Sequence, residues 1–208
     1  MTTITTNIKN PERVRVKHEQ IFDAALSLVK KKGFNKMTLR DISKETRMSL
    51  GNLYDYIGSK DDILFLIHQK AAKIFEANID SSGWKDAPPL EKLRKIIEVE
   101  FDSKVVCQDL VMLMYQESHE LPKEALRNVL GLEEKRITVF EEVVRESIDA
   151  GLLRPVNPVV IAHFIITLID GWVLRRWSIH KKVTADEMKK SIMDMIFSYV
   201  LDGAREGA

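Results

Sequence analysis

The sequence predicts an all-α protein with a small N-terminal helical domain and a larger C-terminal one. Three observations carry this. Apolar residues recur at helical spacing along nearly the whole chain. Gly and Pro number only 9 and 6 among 208 residues, so turns are few and elements long. No stretch shows the strict alternation of a half-buried strand. With 45% hydrophobic and 30% charged residues, the composition is that of a globular chain long enough for one large core or two smaller ones.

The elements follow in order. Residues 1–14 lack apolar periodicity and are expected to form a mobile arm. A helix then presents Ile21, Ala24, Ala25, Leu28 and Val29 on one face, and Gly33 ends it. Thr38 is an N-cap, with Asp41 three residues on in a capping-box arrangement, for a short helix reaching Thr46. Ser49 caps a second short helix expected to run to Tyr56, with Leu53 and Ile57 inward. Gly58 interrupts the chain, and Ser59 caps a longer helix whose apolar face includes Ile63, Leu64, Ile67 and Phe75. The stretch Ser81-Ser82-Gly83-Trp84-Lys85-Asp86-Ala87-Pro88-Pro89 is the clearest punctuation in the chain. Beyond it, helices are expected over 90–106, 108–119, 122–150 and 158–180. Thr184 caps a last helix that ends near Gly203.

Charge is unevenly spread. Through Lys60, twelve bases outnumber six acids, whereas the rest of the chain is net negative and the whole carries +1. A basic head on an acidic body suits a polyanion, although a solvated basic surface gives the same count. The single cysteine, Cys107, allows no internal disulfide. The N-terminus has no apolar run followed by small residues, so no secretion signal is expected. The most apolar stretch, residues 159–174, is interrupted by His163, Thr167 and Asp170. It is also shorter than the ~20 residues that a bilayer span needs. A cytoplasmic protein without a membrane partner is the expectation. His18, His68, His119, His163 and His180 are dispersed, and no phosphate-binding glycine loop or metal-ligand spacing occurs. Neither catalysis, a metal nor a cofactor is expected.

Two short capped helices joined by a tight turn, after an amphipathic helix, form a helix-turn-helix arrangement. The outer positions of the second helix are small or polar, and Leu50, Gly51 and Asn52 follow Ser49 at its start, where close approach is possible. Gly51 costs about 1 kcal/mol inside a helix, which is reasonable where a side chain would clash with DNA. Tyr54 and Tyr56 can donate hydroxyls to phosphates; core packing is the alternative for each. Lys60 stands at a helix start, where charge and free N–H groups favour a phosphate.

At this point the sequence resembles the TetR/AcrR repressors. The matching residues are Thr38-Leu39-Arg40-Asp41-Ile42, then Ser49-Leu50-Gly51-Asn52-Leu53-Tyr54-Asp55-Tyr56-Ile57, then Ser59-Lys60-Asp61-Asp62-Ile63-Leu64. The helix with Ile21, Ala24 and Ala25 and the pair Gly33-Phe34 extend the match to roughly residues 15–75. Ile57-Gly58 and Asn52 depart from the family's usual residues. The resemblance implies a DNA-binding domain over 15–75 and a C-terminal effector-binding and dimerising domain over 76–208. It implies that Ser49, Leu50, Gly51 and Asn52 face base edges or nearby backbone, and that Thr38, Tyr54, Tyr56 and Lys60 hold phosphates. Arg40 and Arg47 are further candidates, with ordinary surface charge as their alternative. It implies a homodimer through helices 158–180 and 184–202, bound to a double-stranded DNA operator.

The residues themselves agree with a dimer, because the first of those helices is apolar nearly all round and one core face cannot hide it. Met112, Met114, Tyr115, Phe140, His163, Ile166, Thr167 and Trp172 are candidate walls of an effector pocket, with plain core as the alternative. Asp170, in an apolar helix, needs a partner: Arg175 or Arg176, or a base from another helix. An acyl-CoA thioester or other apolar or aromatic molecule is the first choice of effector. The rival reading is a helical protein–protein adaptor with no role at DNA.

Overall fold

A computed structural model of the chain describes Ile4, residues 6–118 and residues 121–201. Helices are the only regular secondary structure among the described residues, with no strand among them. They divide into two compact units, Met1–Lys70 with Leu113–Gly131, and Ala71–Met112 with Leu132–Ala208.

The first unit is built on helix α1, Pro11–Lys32. Asn10 caps it, its side chain accepting from the Arg13 N–H at 3.0 Å, and Pro11 supplies a pre-set first φ. Gly33, at φ 78, stops it. Helix α2, Leu39–Thr46, opens with the expected capping box: the Asp41 N–H donates to Thr38 Oγ1 at 3.2 Å and the Thr38 N–H donates to Asp41 Oδ2 at 2.8 Å. Arg47 then takes the left-handed conformation, φ 55 and ψ 27. It is the only non-glycine with positive φ among the described residues, and it makes the turn into α3, Leu50–Tyr54. The turn is locked by Ser43, whose hydroxyl donates to the Met48 carbonyl at 2.7 Å. Ile21, Ala25, Ile42, Leu53, Tyr56 and Ile57 are fully enclosed and form the core beneath these helices. Helix α4, Asp61–Ser81, follows. The Asp62 carboxylate accepts from the Gly58 and Ser59 N–H groups at 2.7 and 3.1 Å, and the Ser59 hydroxyl accepts from the Asp61 N–H.

Two expectations for this unit are corrected. The short helix ends at Tyr54, not Tyr56, with Asp55 as its C-cap. The stretch before α1 is held at several points: Ile4 is buried, and Thr6 Oγ1 and the Asn7 N–H both donate to the Asp55 carbonyl, at 2.7 and 3.1 Å. One isoleucine and a hydroxyl aimed at a helix-end carbonyl suffice to tie these described residues down. They leave no periodic signal in the sequence.

The second unit is made of α5 (Pro89–Val106), α8 (Pro158–Leu174) and α10 (Ala185–Leu201), with parts of α4, α6 (Gln108–Glu117) and α7 (Lys123–Asp149). Helix α8 packs against both α5 and α10. Its core residues Ile161, Ile165, Ile169 and Val173 repeat every four positions and are fully buried. The Phe75 and Phe140 rings stack at 6.4 Å. The helix expected over 158–180 breaks at Arg175, φ −105 and ψ 17, and resumes as the single turn α9, Arg176–Ile179. The break lets His180 fold back onto Trp172, their rings 3.9 Å apart, with its Nε2 3.2 Å from the Trp172 carbonyl. Thr184 caps α10 as expected, and does so through a reciprocal pair with Glu187. The expected ends of helices at His119 and Gly203 lie outside the described residues.

Candidate nucleic-acid interface and effector core

Helix α3 is anchored from below by Leu53, with no exposed surface. Ser49 caps its start by accepting from the Asn52 N–H at 3.1 Å. This anchoring leaves Ser49, Gly51 and Tyr54 outward, with Leu50 and Asn52 half-buried beside them. Thr38, Arg40 and Arg47 are exposed on the neighbouring α2 and turn. A side chain added at Gly51 would meet no atom outside its own turn within 4 Å, so packing does not require glycine there.

Two side chains of α1 clamp the pair of short helices, and sequence reading passed over both. His18 Nε2 lies 2.8 Å from the Tyr56 carbonyl, and Gln20 donates to the Thr46 carbonyl at 2.9 Å. Polar residues on the inner flank of an otherwise periodic helix were the available signal.

Tyr56 does not face outward. Its relative exposure is 0%, against 47% for Tyr54, and its hydroxyl has no hydrogen-bond partner among the described residues. Core packing, not phosphate contact, is its place, because the helix ends before it and the chain turns inward. Thr38 has its hydroxyl engaged with Asp41 at 2.7 Å. Lys60 reaches back to the Asn35 carbonyl at 3.3 Å and lies over the Phe34 ring at 4.3 Å; partial burial draws its pKa below the ordinary lysine value. The Asp41 carboxyl is held well below the usual carboxylate range, first by its hydrogen bond with Lys32 and then by Thr38.

The predicted pocket residues separate into two sets. Met112, Met114, Phe140, Ile166, Asp170 and Trp172 are buried. Tyr115, His163 and Thr167 are exposed, which corrects their assignment as interior walls. On a helix apolar nearly all round, periodicity could not say which side faces in. His163 and Thr167 share the outer stripe of α8 with Val160 and Phe164.

Asp170 finds its partner on another helix: Lys104 of α5 lies 2.7 Å away. Lys104 is also 3.8 Å from Glu100, and Glu100 pairs with Arg136 of α7, which pairs in turn with Glu133. Burial works against the Arg136 charge, yet Glu100, Glu133 and Asp170 outweigh it and keep the guanidinium protonated. Glu100, Lys104 and Arg136 were missed. The first two stand four apart on the same stripe as Leu93, Ile96, Ile97 and Phe101, which was the signal that they face the core.

Comparison with known proteins agrees with this geometry. Residues 21–67 match the bacterial regulatory proteins of the tetR family. Residues 86–200 match the tetracyclin repressor-like C-terminal domain. The HTH-type transcriptional regulator HbdR of Aromatoleum sp. (strain CIB) is 25% identical over 176 residues, covering 85% of this chain and 77% of that protein. The fatty acid metabolism regulator protein of Bacillus subtilis (strain 168) is 20% identical over 185 residues, 88% of this chain and 95% of that one. Among solved structures, FadR from Bacillus subtilis in complex with stearoyl-CoA superposes with a TM-score of 0.74 at 20% identity, covering 88% and 99% of the two chains. AibR in complex with isovaleryl coenzyme A and operator DNA gives 0.68 at 22% identity, covering 89% and 98%. Two family matches that together take in most of the chain, over the fold they describe, lead to one conclusion: the chain belongs to the TetR family of bacterial transcriptional regulators.

Proposed function

We propose that the protein is a ligand-responsive repressor whose homodimer binds a palindromic DNA operator and whose effector is a coenzyme A thioester. The outward face of α3 carries this reading: Ser49, Gly51 and Tyr54 are exposed on a helix held by a fully buried Leu53. A short helix so supported can enter a major groove. Within that reading Ser49, Leu50, Gly51 and Asn52 meet bases or adjacent backbone. Tyr54, Arg40, Arg47 and Lys60 meet phosphates, Lys60 after leaving the Asn35 carbonyl. Dimerisation uses the outer stripe of α8, Val160, Phe164 and Thr167, with Met195 and Tyr199 of α10, all exposed. Two heads then address two half-sites. The CoA thioester reading is supported by the buried Met112, Phe140 and Trp172 of the second unit, and by the CoA complexes of two proteins of the same fold. Action in the cytoplasm, without catalysis, completes the proposal.

The test is a gel-shift with the protein's own promoter region across a range of salt concentrations, with and without a long-chain acyl-CoA. Salt-sensitive binding that the thioester alters is expected. Tyr54→Phe should weaken binding, because it removes an exposed phosphate donor, whereas Tyr56→Phe should not. An adaptor would bind no duplex, and equal loss in both tyrosine variants would refute the contact assignment.

A further inference from the structure

The segment that joins α8 to α10 has chemistry that neither the core nor the proposed dimer stripe uses. Residues 175–182 read Arg-Arg-Trp-Ser-Ile-His-Lys-Lys, without an acidic residue. Arg176 is tied to Asp109 at 2.7 Å. Arg175, Lys181 and Lys182 are exposed, and their side chains make no ion pair or hydrogen bond with the described residues. Between them Trp177 is 65% exposed. An exposed indole and three exposed cations thus fall within eight residues of the chain.

The residue types of this segment indicate what it could bind. A flat apolar face and several cations suit a molecule that joins a planar base to phosphates. Duplex DNA hides its base faces in the stack, so it would leave the indole unused. A free nucleotide exposes its base face. The segment is also connected inward, since His180 stacks on the buried Trp172, and Trp172 lies 6.1 Å from Phe101. Trp172 belongs to α8, so the segment touches that helix through His180.

We propose that Arg175, Trp177, Lys181 and Lys182 form a nucleotide subsite for the adenosine bisphosphate half of a CoA thioester, with adenine on the Trp177 ring and phosphates at the three cations. This deepens the effector reading given above and rests on it for the identity of the whole ligand.

The full-length protein should be titrated with adenosine 3′,5′-bisphosphate, with an acyl-CoA, and with the matching acyl-pantetheine, which lacks the nucleotide. Calorimetry gives affinity and tryptophan emission reports stacking. Wild-type protein should bind the bisphosphate with quenching, and should prefer the acyl-CoA to the acyl-pantetheine. The triple variant Arg175→Ala, Lys181→Ala, Lys182→Ala should lose about tenfold or more in bisphosphate affinity, and with it the preference for the acyl-CoA. Trp177→Phe should retain most binding but lose most of the quench. Sedimentation and melting should stay as in the wild type.

A wild type that ignores the bisphosphate, or a triple variant that binds it equally well, overturns the subsite. Dissociation of the dimer on Trp177→Ala would make the indole a subunit contact and would overturn it too. So would loss of operator affinity in the triple variant with bisphosphate binding intact, which would make these cations DNA contacts. Bisphosphate binding that depends on the patch, with no effect of any acyl-CoA on operator binding, supports the subsite and refutes only the effector reading.

Discussion

Tyr54 and Tyr56 are the same residue two positions apart, one outward and one sealed in the core. Along a helix two positions turn the side chain by about 200°, and α3 ends between them. Tyrosine suits either place, so residue type could not separate them; only the position of the helix end does. Gly51 is the opposite case, because its oddity was legible from sequence. The free protein has room for a larger residue there, so Gly51→Ala should raise unfolding stability by about 1 kcal/mol while weakening operator binding. Chemical denaturation and gel-shift on the same preparation check both signs, and operator affinity unaffected by the methyl group would remove the steric explanation. Arg47 carried no such signal. Its left-handed turn is imposed by the packing of α2 and α3, and arginine is not a residue that advertises positive φ.

Caps were the most legible elements. Thr38 with Asp41, and Thr184 with Glu187, are three residues apart, so the whole interaction lies within a few residues of sequence. The Asp41 cap has a pH signature. Its carboxyl sits below the ordinary range in the folded chain and near about 3.9 when unfolded. The stabilisation is therefore fully present above that unfolded value and is lost as pH falls through the folded one. Urea midpoints of the wild type and Asp41→Asn should differ at neutral pH and converge in strong acid. A gap that is constant with pH would show that the charge is not the cause. The break in α8 was not legible, because Leu174, Arg175 and Arg176 are all acceptable helix residues. The stacking of His180 on Trp172 accompanies the break, and that contact spans eight positions.

At the scale of the whole molecule, the apolar girth of α8 predicted a second surface, and the exposed Val160, Phe164, Met195 and Tyr199 supply one. Phe164→Asp should convert the dimer to monomer in sedimentation and abolish cooperative operator binding, leaving helical content unchanged. A stable dimer in that variant would place the subunit contact elsewhere. The buried charges were only half legible. Asp170 was known to need a partner, but Lys104 lies on another helix and Arg136 meets Glu100 across 36 positions of sequence. Asp170→Leu alone should destabilise the protein by about 3 kcal/mol, and adding Lys104→Met should restore most of it. Calorimetric melts of the single and double variants decide; no recovery would mean that the pair does more than neutralise itself. These pairs also limit how the domain can respond to an effector. An apolar interface lets one helix slide along another by small steps, but α8 cannot drift from α5 without stranding Lys104 or Asp170 in a dry interior. Motion of α8 along α5 is therefore opposed wherever it would separate these two charges, so the pair acts as a detent rather than a spring.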